Sequence, residues 1–222
     1  MPTITVLPTM TVVVKPAVVG LPTLLDNPQS FVGRSLVLIS PVAVSSGSVQ
    51  IVSGFHYEGQ ELRPLKAAPS TVWLSGSIPE GVKTKLASGV GYLKVRGRLG
   101  PPGAYGPDTR YPYQFTVTES SILVPDTTTL INLTTNSHAL NDVLLNVSGT
   151  LLTTKDGAIL TEQTGSGGIP RNDARQIKLH GLLEPQIVQR LASSGDVHYG
   201  PVNVVGWWHD GSLAPFVIQS AP

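Results

Sequence analysis

The chain offers few of the side chains that carry enzymatic chemistry. It has no cysteine, which removes thiolate catalysis, disulfides and zinc ribbons and leaves the redox compartment undecided. No serine is flanked by glycine two residues before and two after, so the nucleophile elbow is absent. His56, His138, His180, His198 and His209 stand apart in sequence, without the close spacing by which a metal site announces itself. Gly165-Ser166-Gly167-Gly168 lacks the lysine and spacing of a phosphate loop and reads as a flexible hairpin connection. The 14 acids include no pair that spacing selects for acid–base work. The expectation is a protein that is not an enzyme, with no cofactor and no metal.

Two groups of residues remain as candidate contacts. Lys94, Arg96 and Arg98 alternate with apolar residues and so share one face of a strand. Arg110, Tyr105, Tyr111 and Tyr113 follow in the next loop and strand. Bases interleaved with aromatics suit a single-stranded nucleic-acid groove, although an ordinary solvated strand face reads the same way and four bases are a small footprint. Trp207 and Trp208 are neighbours on a strand and therefore face opposite sides. One is expected in the core. The other is a candidate exposed aromatic, able to stack a sugar or base or to fill an interface. Asn132-Leu133-Thr134 and Asn146-Val147-Ser148 match the glycosylation pattern, which matters only in a glycosylating secretory route.

The elements that must position these residues are mostly strands. The chain has 222 residues, 41% hydrophobic and only 13% charged, with 23 Gly and 19 Pro. That supports one large domain or two of about a hundred residues. Residues 1–29 form an apolar stretch interrupted by Pro2, Pro8, Pro16 and Pro22. Ile4, Val6, Leu7, Val12, Val13 and Val14 mark it as an extended arm, because proline excludes a central strand. From Phe31 onward the pattern is short strands: 35–40, 42–52, 71–75, 91–99 and 113–124. A short helix falls between the third and fourth, from Ser77-Ile78-Pro79-Glu80 to about Gly89. The order then repeats, with strands at 142–154 (a bulge expected at Gly149), 158–161 and 175–180, a helix at 184–193, and strands at 202–208 and 213–219.

Spacing supports a duplication. Leu74-x-Gly76 lies twelve residues before Leu86-Ala87-Ser88, and Leu179-x-Gly181 lies twelve before Leu191-Ala192-Ser193. Three strands, a helix and two strands in about 95 residues resembles the OB-fold, the small five-stranded barrel. The resemblance covers about residues 30–125 and again 138–222, within domains expected at 30–125 and 126–222 after an arm at 1–29. It implies an all-β protein of two tandem OB-like barrels plus the arm, and a binding or scaffold role; one β-sandwich is the rival architecture.

Charge points the same way. Residues 30–125 carry a net +4 and residues 126–222 a net −3. Complementary halves meet head to tail, a contact that builds rings or filaments, and an apolar arm adds a strand to a neighbour's sheet. The arm packing on its own barrel is the competing outcome. The first expectation is thus a structural protein whose partner is itself, self-associating through strand exchange into a homo-oligomer or filament. The alternatives are a single-stranded nucleic-acid module, possible but not favoured, and a carbohydrate-binding module. No apolar run is long enough for a membrane span, and no signal peptide is visible. Extracellular or cell-surface assembly stays open.

Overall fold

Along Val90–Leu99 apolar and charged residues alternate, and the strand turns Leu93, Val95, Gly97 and Leu99 inward and Lys94, Arg96 and Arg98 outward. That period of two organises the molecule. The computed structural model describes residues 15–45, 47–65, 72–86, 89–181 and 183–221. The expected arm residues Ile4, Val6, Leu7, Val12, Val13 and Val14 lie outside them.

The first unit runs β1 (Ala17–Gly20), α1 (Leu21–Asp26), β2 (Ser35–Ser45), β3 (Ser48–Ile51), β4 (Phe55–Glu58), β5 (Glu61–Pro64), β6 (Val72–Gly76), α2 (Glu80–Lys85), β7 (Val90–Leu99) and β8 (Tyr113–Leu123). β2 pairs antiparallel with β3 and β7, β7 with β8, and β8 parallel with β6. β3 lies against β6. The β4–β5 hairpin stands outside this sheet.

The second unit runs β9 (Asp126–Thr128), α3 (Leu130–Thr135), β10 (Val143–Thr154), β11 (Gly157–Thr161), β12 (Gln176–Leu179), α4 (Pro185–Arg190), β13 (Ala192–Ser194), β14 (Val197–His209) and β15 (Ser212–Ser220). Its pairings close into a ring: β10–β11–β12–β15–β14 and back to β10. The chain is therefore mostly β, in several sheets with short helices. No helix among the described residues is long and apolar enough to cross a membrane.

The two halves begin alike. β1 pairs parallel with the first part of β2, and β9 pairs parallel with the first part of β10. A one-and-a-half-turn helix follows each, burying Leu21 and Leu24 in one case and Leu130 and Leu133 in the other, the same i, i+3 spacing. This corrects the reading of 1–29 as one extended arm. From Ala17 the chain is built into the first unit, because Val19, Leu21 and Leu24 join its core.

Glycines mark where the sheets bend. The register shifts at Arg96/Gly97 in β7 and at Val205/Gly206 in β14. A Cβ at Gly97 would sit 2.1 Å from the Thr116 carbonyl oxygen, and one at Gly206 2.5 Å from that of Ala214. The bulge expected at Gly149 is not there, since β10 keeps register with β14 throughout. Gly149 instead sits where the other edge of β10 passes from β9 to β11, with no room for a Cβ beside Leu160 and the Thr161 carbonyl.

The first unit's core takes in residues of the second. β14 turns Trp208 into the second unit's interior, while Trp207 belongs to the first unit's cluster together with Leu144, Ala214 and Phe216. Both tryptophans are buried, at 1% and 2% exposure. The expected exposed aromatic is thus corrected: the sheet around β14 is covered on both faces. The Trp207 indole lies on the backbone of Gly20, where a Cβ would meet it at 2.5 Å. Phe216 packs against Tyr92, and Tyr92 against Phe55 edge-on, with ring centroids 6.1 and 5.5 Å apart.

A core built from both units predicts cooperative unfolding. Wild-type protein is expected to unfold in urea in a single transition, and Trp207→Ala to destabilise it by about 3–5 kcal/mol and separate the two units' transitions. Two transitions already present in the wild type would refute the coupling.

Candidate functional site

The basic residues picked from sequence do share a surface. Lys94, Arg96 and Arg98 stand exposed on the outer face of β7. β2 and β8 flank them, placing Ile39 and Ser121 beside Lys94, and Val37 and Glu119 beside Arg96. A groove of about 330 Å³ lined by Pro16, Val37, Lys94, Arg96 and Glu119 to Ser121 crosses this face. Arg96 is paired with Glu119 at 3.4 Å, which removes part of its pull on an external anion. Lys94 and Arg98 form no ion pair among the described residues.

The loop residues do not extend the patch as free groups. Arg110 binds Asp108 at 2.9 Å. The backbones of Tyr105 and Tyr111 bond each other, and the Tyr105 hydroxyl donates to the Pro101 carbonyl. Tyr111 stacks on Trp73 with centroids 5.3 Å apart. The Tyr113 hydroxyl accepts from the Gln29 amide. Arg110 and the Tyr105 and Tyr113 hydroxyls are thus engaged within the protein, which narrows the reach toward a nucleic acid to the strand face. Charge and spacing could find the cations; the pairing of Arg96 with Glu119 is a tertiary fact, whereas that of Arg110 with Asp108, two residues away, is local.

The sequence reading missed two clusters at the junction of the units. In the first, the His209 Nδ1 lies 2.7 Å from Asp142 and its Nε2 3.4 Å from Asp210. His180 approaches Asp26 of α1 at 3.9 Å. Asp142 and Asp210 adopt positive φ, which Asp tolerates better than most residues. The Asp210 N–H donates to Asn141, and the Trp208 indole N–H to the Ser137 carbonyl. This network fastens residues 137–142 to the β14–β15 turn. The imidazole is bracketed by carboxylates, and the Ser212 hydroxyl donates to the His209 carbonyl. Among the described residues, no three His, Cys, Asp or Glu are arranged to hold a metal.

The second cluster lines a cleft between the β4–β5 hairpin and the surface made by α4 and β15. A cavity of about 130 Å³ there opens beside a cleft of about 450 Å³, and both are lined by His56, Tyr57, Glu184, Gln186 and Arg190. Burial pushes the Glu184 carboxyl above its ordinary value, against the lowering effect of His56 and Arg190. His56 and Ser220 line the cavity, while His56 Nδ1 and Ser220 Oγ themselves are buried away from it without a hydrogen-bond partner. An unsatisfied buried group costs about 1–3 kcal/mol.

No family model, curated protein or solved structure matches this chain.

Tyr92, at the centre of the aromatic contact between the units, has its hydroxyl pushed well above its ordinary value of 10.0, by burial first and by Tyr57 second. The unfolded chain loses this proton near pH 10 and the folded chain holds it. Stability is therefore full below pH 10 and falls as pH rises beyond it. Tyr92→Phe is expected to flatten that fall in urea titrations at pH 9 to 11; an unchanged slope would assign the loss to other groups.

Proposed function

We propose that this chain is a non-catalytic structural protein of two OB-like barrels that self-associates through its N-terminal segment. The strand pairing supports the barrel reading. Taking β2, β3, β6, β7 and β8 as one set of five and β10, β11, β12, β14 and β15 as the other, the first strand of each set pairs with the second and fourth, the fifth with the fourth, and the third runs parallel to the fifth. That is the OB order, with the helix before the fourth strand.

One observation carries the assembly reading. At Ala17–Gly20 the chain adds itself as a parallel edge strand to β2, and the β-branched run Thr11 to Val14 continues directly upstream. An apolar run feeding a sheet edge is suited to strand addition onto a neighbour. The opposite net charges of the halves favour a head-to-tail contact, which propagates into a ring or filament. Units fused through the first unit's core give such a polymer a rigid subunit.

Removal of residues 1–14 stops short of β1 and takes away none of the described core residues. Light scattering is expected to show large assemblies for the full chain and monomer mass for the chain lacking residues 1–14. A monomeric full chain, or equal assembly without the segment, overturns the reading.

A second reading has its own observation: Lys94, Arg96 and Arg98 project side by side from β7. If that face binds single-stranded nucleic acid, fluorescence anisotropy with oligo-dT should show binding at low salt. The affinity should fall with salt at a log–log slope of about −2 for three phosphate contacts. Lys94→Glu, Arg96→Glu and Arg98→Glu together should abolish it. No binding at low salt ends this reading.

A further inference from the structure

We propose that an apolar groove on the second unit receives residues 1–14 of a second copy of this chain. The inference rests on the self-association reading and names the surface that the N-terminal segment finds.

The groove, of about 510 Å³, is lined by the outer face of β10, β11 and β12 and by residues 167–170. Period two sends Leu151, Leu160 and Ile177 into the second unit's core. Their neighbours Leu152, Ile159 and Lys178 point the other way and stand directly opposite one another across the three strands. On β7 the outward positions are charged. Here two of the three are apolar. Leu152 is 6% exposed and belongs to neither core cluster, so it forms the groove's floor.

A fixed loop supplies the facing wall. Gly168 has a φ of +77°, and a Cβ there would sit 2.4 Å from the Tyr199 ring, so only glycine lets the loop lie that close. The Gly165 N–H donates to the Ile169 carbonyl at 2.7 Å, and the backbones of Thr164 and Pro170 form a bridge. Ile169 is thereby held at 69% exposure on the groove wall. Its side chain gains little burial within its own chain, and apolar surface gathered in this way marks an interaction site.

The lining suits an uncharged, apolar peptide. Its charged members are Lys178 and Asp156, which are of opposite sign. Residues 1–14 contain no Asp, Glu, Lys, Arg or His, and set Ile4, Val6, Leu7, Val12, Val13 and Val14 among Thr and Pro. Burying such a peptide desolvates no charged side chain. Pro2 and Pro8 disfavour a helix, so the form to be received is strand-like. Both edges of β11 are already paired, so recognition runs through side chains and not through an added ladder.

Chain length favours a second copy over the chain's own segment. The segment departs from Pro16, on the β7 face of the first unit. β1 then ends at Gly20 against Trp207, which is opposite Leu144 on β10. The groove begins at Leu152, about 26 Å further along β10 at about 3.3 Å per residue. Fourteen extended residues span at most about 46–50 Å. A path over the surface uses most of that length and leaves few residues to fill the groove. A neighbouring copy presents the segment without this limit. Its net basic first unit then meets a net acidic second unit, and the contact is heterologous, so it propagates.

Two variants each lack one half of the contact: the chain without residues 1–14, and the full chain carrying Ile169→Asp. Light scattering is expected to show monomer mass for each alone. Mixing them should give a complex of about twice the chain mass, because the segment of one meets the groove of the other and neither can extend further. Thr154→Arg, at a second exposed lining position, should behave as Ile169→Asp does. Ile169→Leu should assemble as wild type, and Ile169→Asp should keep the wild-type melting temperature. If the groove variants assemble as wild type while the chain without residues 1–14 stays monomeric, the groove is overturned and self-association stands. If the two monomeric variants form no complex on mixing, the second copy is overturned as the occupant.

Discussion

The structure depends on the burial of Trp207 and Phe216 between two units that would otherwise each be small. A domain of about a hundred residues buries a smaller fraction of its surface than one of about two hundred. Here the outer face of the β10–β14–β15 sheet is not given to solvent. It lies on β1, α1 and the end of β7, so that Leu144, Trp207, Ala214 and Phe216 complete the first unit's core. Gly20 is part of the same constraint: its missing Cβ lets the indole lie flat on the backbone. The β1–α1 segment thus has two tasks, closing the edge of β2 and presenting a smooth surface to the partner unit.

This coupling explains where functional groups collect. Both clusters missed at the sequence level lie along the seam. On one side Asp26 of α1 meets His180, near the bracketed His209. On the other, His56 and Tyr57 face Glu184 and Arg190. The outer face of β7, away from the seam, follows a simpler rule, with alternating charged residues open to water.

The likeness of the two beginnings changes how the N-terminus is understood. β1–α1 corresponds to β9–α3, so each unit carries a parallel strand and a short helix ahead of its five main strands. Pro22 early in α1 and the Thr129 cap of α3, whose hydroxyl accepts from Asn132 N, start the two helices by different chemistry. Such differences hide the likeness from identity while leaving the leucine spacing intact.

Local pattern alone determined the all-β class, the order of the main strands, the helices near 80–85 and 185–190, and the outward set of Lys94, Arg96 and Arg98. Period-two alternation and proline and glycine punctuation act within a few residues, so they are readable without the fold. The bend glycines were half legible: Gly97 and Gly206 aligned by spacing, but Gly149 proved to be a hand-over point, because a bulge depends on both strands of a pair. The β4–β5 hairpin, α1 and α3 were not legible, being too short to show a period. What only tertiary structure decided is the fate of both faces of β14. An alternating strand says that Trp207 and Trp208 point opposite ways. It cannot say that a second unit waits on the far side, because burial there comes from residues nearly two hundred positions away in sequence.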